Sequence, residues 1–344
     1  MSLKLNKQHI TINLEEARSA EGYLVSDDDL VAAANAAIVL GKPLLLTGEP
    51  GIGKSEFANW LAAQPEKCAL HKFIIKSTTE GSELFYHFDT LARFRDAQIE
   101  VHASSRGDSK SSEGRSSHPL HYLKYDALGK AILLTLGKEE CKAQGLISAD
   151  TSDEEFTWPD EPTRSVVLID EIDKAPRDVP NDILDEIDRL SFRVRELGNK
   201  KVEVNPNLRP IVIITSNSER DLPKPFLRRC IYYHMRFPED DGVLRQIAEK
   251  RVGKRYQDNN DLLAEALKLF HHLRNEVNLN HQPGLAELLD WLADLSSQNP
   301  EQNARLQEIP QARASLKNAL MKEKDDQALA DDEWEKWLEA IKAK

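Results

Sequence analysis

Two hydrophobic rhythms run along this chain of 344 residues. Up to about residue 240, short blocks of consecutive apolar residues alternate with segments where apolar residues recur every three or four positions. Residues 43–46 (PLLL), 165–169 (SVVLI) and 210–215 (PIVIIT) form the clearest blocks. Each predicts a strand covered on both faces, as a parallel sheet requires. Residues 71–76 (HKFIIK) and 231–237 predict two more strands. Ahead of the first block, Leu30, Val31, Ala34, Ala37 and Ile38 share one helical face, with Ser26 and Asp27 as N-caps and Gly41 as the stop. Helical character is expected again over 80–97, 125–136 and 172–190. Residues 192–195 and 200–204 flank Gly198-Asn199 and predict a hairpin.

After Phe237-Pro238-Glu239-Asp240 no further strand-like block occurs. Leu262, Leu263, Ala266, Leu267, Phe270 and Leu273 make one apolar helical face, and Leu285, Leu288, Leu289, Leu292 and Leu295 make another. Further helices are expected over 311–321 and, capped by Asp331, over 334–341. The expected architecture is therefore α/β with a parallel sheet over residues 1–240, followed by an all-α region over 241–344. Insertions are expected near 82–121 and 193–206.

Chemistry enters at the first strand. Gly48-Glu49-Pro50-Gly51-Ile52-Gly53-Lys54-Ser55 follows it and precedes a helix-forming segment. Strand, G-x-x-x-x-G-K-[ST] loop and helix stand in the order a phosphate-binding loop needs. The glycines let backbone N–H groups turn inward around anionic oxygens, and the helix N-terminus adds its positive dipole end. Lys54 would reach the β- and γ-phosphates, and Ser55 would ligate Mg²⁺. Two carboxylates, Asp170 and Glu171, end the 165–169 block, where α/β folds bind ligands. Asp170 would hold Mg²⁺ through water, and Glu171 would polarise the attacking water. Asn217, beyond the 210–215 block, either bonds that water or the γ-phosphate or simply caps its turn. Tyr23, Leu24 and Val25 either line a base pocket or belong to the core.

Composition narrows the picture. Lys+Arg 46 against Asp+Glu 58 leaves a net charge of −12, which disfavours nucleic acid or an anionic membrane as a partner without excluding a local basic groove. The longest apolar run, residues 30–40, is about half of what spans a bilayer, and no secretory signal is read at the start of the sequence. Cys68, Cys141 and Cys230 are scattered singly, which fits free thiols in a reducing cytoplasm. Residues 102–119 are low in complexity, rich in Ser, Gly and both charges, and predict a surface loop. His102, His118 and His121 lack carboxylate or thiol partners at ligand spacing, and His271-His272 point to different faces of a helix, so neither set predicts a metal site.

The ordered set of phosphate loop, Asp170-Glu171, Ser216-Asn217, Arg228-Arg229 and helical lid resembles the AAA+ ATPases, and within them the MoxR family. The likeness is carried by YLVSDDDLVAAANAAIVLGKPLLLTGEPGIGKS, VVLIDEIDKAPRDVPNDILDEID and SNSERDLPKPFLRRC, and it covers roughly residues 23–295. The resemblance implies an AAA+ P-loop NTPase core and an all-α lid, with ATP and Mg²⁺ as ligands. It implies Walker A duties for Lys54 and Ser55, Walker B duties for Asp170 and Glu171, and a sensor 1 role for Asn217. It also implies an arginine finger at Arg229, with Arg228 as the alternative. The lid helix that would carry a sensor 2 arginine reads Gln282-Pro-Gly-Leu-Ala-Glu287-Leu, with no basic residue. Either Arg274 substitutes for it or coupling of the lid to the γ-phosphate is weak.

Three functions compete. The first is ATP hydrolysis driving chaperone-like remodelling or assembly of a protein client. The resemblance implies a homo-oligomeric ring, hexameric in form, with a von Willebrand factor A-domain protein as partner. The second is an McrB-like NTPase subunit of a nucleic-acid translocating or restriction complex, disfavoured by the charge. The third is a nucleotide-operated switch with little turnover.

Overall fold

A computed structural model describes residues 23–25, 27–64, 68–105, 118–148, 158–217, 222–252, 260–298 and 304–342. Residues 1–22, the Ser26 cap and the greater part of the low-complexity stretch 102–119 lie outside the described residues. In chain order the elements are α1 (Asp28–Leu40), β1 (Leu44–Gly48), α2 (Lys54–Ala62), β2 (Ala69–Ile74), β3 (Tyr86–Phe88) and α3 (Thr90–Ser105). Then come β4 (Leu123–Tyr125), α4 (Ala127–Leu136), α5 (Lys138–Ala143), β5 (Ser165–Asp170), α6 (Val179–Asp182) and α7 (Leu184–Arg189). The hairpin strands β6 (Ser191–Val194) and β7 (Lys200–Glu203) precede β8 (Ile211–Ser216), α8 (Lys224–Arg229) and β9 (Ile231–Met235). Five helices complete the chain: α9 (Asp241–Val252), α10 (Asn260–Asn275), α11 (Leu285–Gln298), α12 (Ala312–Leu320) and α13 (Lys324–Lys342).

Two compact units divide these elements. One gathers Ala32–Thr47 and Leu61–Tyr233; the other gathers Gly48–Trp60, His234–Lys344 and the described part of Ile12–Val31. A five-stranded sheet in the order β2-β5-β8-β1-β9 underlies the first. Within it β2 with β5, β5 with β8, and β8 with β1 pair in parallel. Val166, Val167, Leu168 and Ile169 of β5 are fully buried, which is why their run is unbroken by polar residues. Edge strand β2 instead has only exposed and half-buried positions. Pairings Thr47↔Ser216 and Ile169↔Ile214 bring the carboxyl ends of β1, β5 and β8 to one edge.

The described C-terminal helices have their own core, in which Leu263, Leu267, Phe270, Trp291, Leu292 and Leu316 are all buried. Leu263, Leu267, Phe270 and Leu292 belong to the two apolar faces whose spacing predicts helices. Asp326 is a buried polar exception at 0% exposure, and its carboxylate accepts the backbone N–H groups of Asn280 and His281 at 2.9 Å each. Asp331 does not cap a helix: it lies inside α13 and pairs with Arg313 and Lys317.

Two other expectations yield to local geometry. The helix expected over 172–190 is broken into a 3₁₀ turn at Ile172–Lys174 followed by α6 and α7. Pro176 pushes Ala175 out of the helical region to ψ 151°, the usual restriction on a residue before proline. Over 80–97, Leu84 and Phe85 are buried and Tyr86–Phe88 pairs antiparallel with Leu123–Tyr125, so a helix starts only at Thr90. Tertiary pairing there overrides local spacing.

Candidate functional site

The loop after β1 is shaped by glycine. Gly48, Gly51 and Gly53 adopt φ of +144°, +73° and +99°, all outside the range side chains favour. A Cβ on Gly51 would lie 2.7 Å from the Ala286 Cβ at the start of α11. Lys54 is only 7% exposed, and its ammonium donates to the carbonyls of Gly48 and Glu49 at 2.8 Å each. The chain therefore curls around the lysine head. Ile52 is buried beside it, and Pro50 and Ser55 complete the loop. Helix α2 starts at Lys54, with Phe57 N–H already bonded to the Gly53 carbonyl at 3.0 Å.

Tyr23 lies against the same loop. A Cβ on Gly53 would approach the Tyr23 ring to 3.2 Å, and the ring sits 6.3 Å from Phe57 and 6.4 Å from Trp60. Burial, with Glu56 adding to it, pushes the Tyr23 phenol above its ordinary range. Leu24 beside it is half-buried, whereas Val25 is buried.

At the end of β5 a second constellation forms. Asp170 accepts the Thr215 hydroxyl at 2.6 Å and lies 3.2 Å from the Lys72 ammonium. Glu171 takes φ 63° and ψ 49°, a left-handed conformation rare for a side-chain-bearing residue. Its backbone N–H donates to the Thr215 hydroxyl oxygen at 2.9 Å. One hydroxyl thus fixes two consecutive acidic residues. A 3₁₀ turn superposes residues three apart, which sets Lys174 over Glu171, ammonium to carboxylate 2.8 Å. Asn217 donates its backbone N–H to buried Asp173 at 3.3 Å. Arg228 and Arg229 close the six-residue helix α8, anchored by buried Phe226; Arg228 is exposed and Arg229 half-buried. Burial pushes the thiol of adjacent Cys230 up to about 12.

The structure brings Gly48, Glu49, Pro50, Gly51, Ile52, Gly53, Lys54, Ser55 and Tyr23 together, and separately joins Asp170, Glu171 and Thr215. Sequence reasoning missed Thr215, Lys72 and Lys174. Thr215 had one signal, as the polar residue ending the PIVIIT block; a lysine's partner depends on sheet order, which no local pattern gives. Arg274, the candidate stand-in for a sensor 2 arginine, donates to Glu49 at 2.8 and 2.7 Å. Among the described residues no group of three or more His, Cys, Asp or Glu could hold a metal ion. The Ser55 hydroxyl and the Asp170 carboxylate are each the kind of hard oxygen donor that Mg²⁺ takes. No helix among the described residues is long and apolar enough to cross a membrane.

Residues 44–238 match the family described as ATPase family associated with various cellular activities (AAA). No curated protein matches the chain. The match starts with β1 and ends just past β9, so it spans the sheet, the glycine loop and both acidic residues. With its AAA+ core and helical lid, the chain belongs to the AAA family of ATPases.

Proposed function

We propose that this chain is a MoxR-like ATPase that binds ATP with Mg²⁺, hydrolyses it, and uses the cycle to remodel or assemble a protein client. Residues 1–240 would form the nucleotide core and 241–344 the lid and tail. The observation that carries the reading is the strand-end network of Asp170, Thr215 and Glu171. Backbone strain costing about 1–3 kcal/mol persists only where the surroundings enforce it, and such strain gathers at active sites. Here Thr215 enforces it.

Each residue then has a task. The loop amides and Lys54 would hold the phosphates, while Tyr23 and Leu24 would flank the base. Ser55 and, through water, Asp170 would hold Mg²⁺, which when bound neutralises charge developing on the phosphates. Glu171 would orient the attacking water and take its proton, and Asn217 would help place that water. Arg229, or Arg228 in its stead, would reach a neighbouring subunit's nucleotide in a hexameric ring. A von Willebrand factor A-domain protein is the partner type the MoxR resemblance suggests, in a cytoplasmic setting.

One experiment tests the core of this reading. Glu171→Gln should bind ATP normally while turnover falls about 10²–10⁴-fold, the usual worth of a positioned base. Arg229→Ala and Lys54→Ala should each be inactive alone, yet regain part of the activity when mixed, because a mixed ring can pair an intact loop with an intact arginine. Wild-type turnover in Glu171→Gln, or no recovery on mixing, would refute the assigned roles.

A further inference from the structure

We infer that Arg274 is a positioning residue for the phosphate loop, acting through Glu49 on Lys54 and not on the nucleotide. The inference rests on the reading of that loop as a nucleotide site. Arg274 stands in the last turn of α10 and is 8% exposed. One of its terminal nitrogens donates to both carboxylate oxygens of Glu49, at 2.8 and 2.7 Å. The other donates to the Pro283 carbonyl at 2.7 Å. Its guanidinium lies 4.2 Å from the centre of the Phe237 ring, and Phe237 stacks on buried Phe270 at 5.8 Å.

The planar head is therefore fixed by a ring on its face and a carbonyl on one side. Glu49 holds the other terminal nitrogen. Glu49 has two attachments. Its side chain, half exposed, is held by Arg274; its backbone carbonyl accepts the Lys54 ammonium at 2.8 Å. What fixes Glu49 fixes one of the two carbonyls that aim Lys54.

To read a terminal phosphate, Arg274 would have to leave Glu49, the Pro283 carbonyl and the Phe237 ring together. A cation this buried is strongly disfavoured without a partner. Arg274 therefore acts on the part of the site that ATP and ADP share, and its loss must weaken both alike.

The test is equilibrium binding of fluorescent ATP and ADP to the full chain and to Glu49→Gln, Arg274→Met, Arg274→Lys and the Glu49→Gln/Arg274→Met double variant. Glu49→Gln and Arg274→Met should each weaken both nucleotides about tenfold, within the usual span of coupling between sites. The double variant should be no worse than either single one, since one interaction is removed twice. Arg274→Lys, keeping one charged bond to Glu49, should recover part of the affinity. A loss confined to ATP would make Arg274 a reader of the γ-phosphate and overturn the inference, as would additive losses or full affinity in Glu49→Gln. If Arg274→Met fails to fold, the ATP-to-ADP ratio of Glu49→Gln decides, because that side chain is half exposed. Failure of the wild-type chain to bind either nucleotide would strike the nucleotide reading of the loop itself, and this inference with it.

Discussion

After β1 the chain turns on Gly48, Gly51 and Gly53, all at positive φ; after β5 it turns on Glu171, also at positive φ. The first turn needs bare backbone, because all three positions take positive φ and a Cβ there would meet neighbouring atoms. A Cβ on Gly48 would stand 2.4 Å from the Met235 carbonyl oxygen. The second turn needs a side chain, a carboxylate, at the point where backbone geometry is least favourable to one. Glycine removes strain in the first turn, whereas a hydroxyl on the neighbouring strand restrains it in the second. A turn built on glycine is cheap to form, whereas a left-handed turn at a residue that carries a side chain stores strain.

Replacing the glycine should break the contrast most severely. Gly48→Ala sets a Cβ against backbone that cannot rotate away, so it should destabilise the fold by about 3 kcal/mol, overpacking and positive φ combined. Chemical denaturation reads this directly, and a loss below about 1 kcal/mol would show that the loop relaxes freely. The opposite sign is expected at the second turn. Glu171→Gly should leave the protein equally stable or up to about 1 kcal/mol more stable, with hydrolysis lost. A clear drop in melting temperature would mean that the Lys174 pair outweighs the strain.

The smallest effect concerns the two units that hold these turns. Burial, with Lys130 nearby, lowers the His71 pKa to about 4. The unfolded chain takes up a proton that folded His71 refuses, so its contribution is complete above about pH 6.5 and shrinks as pH falls toward 4. His272 behaves the other way. Its hydrogen bond to Glu333, then that to Glu276, raises its pKa. Its contribution is present below about pH 6.5 and is lost as pH rises through the elevated folded value. Hydrogen exchange should show amides around β2 opening first in acid and those around α10 loosening on the alkaline side. His71→Asn and His272→Gln should flatten one limb each; the same limb flattened by both would refute the division.

Much of this was legible in the sequence, for physical reasons that differ by element. Strand β5 reads directly as Ser165–Asp170 because burial on both faces leaves an unbroken apolar run. The glycine loop reads because Gly48, Gly51 and Gly53 stand where the motif needs them. The hairpin reads because Gly198 and Asn199 both take positive φ. By contrast, β3 and β4 pair across more than thirty intervening residues, and nothing in YHF or LKY announces it. Nor could spacing show Arg274 meeting Glu49. A side-chain pair 225 positions apart leaves no periodic trace.

Asp326, buried with its carboxylate closed over the backbone of Asn280 and His281, has a consequence for the order of assembly. During synthesis, at about 5–20 residues per second, the glycine loop emerges before the helices that follow it. The segment containing Asn280, His281 and Pro283 emerges much later, and Asp326 is later still. Until α13 has been made, the two N–H groups have no carboxylate, and the Pro283 carbonyl that steadies Arg274 rests on an unfinished turn. A nascent chain can therefore display the complete glycine motif well before the support for its Glu49 is in place. The turn that steadies Arg274 is thus completed only once the later helix α13 has supplied Asp326.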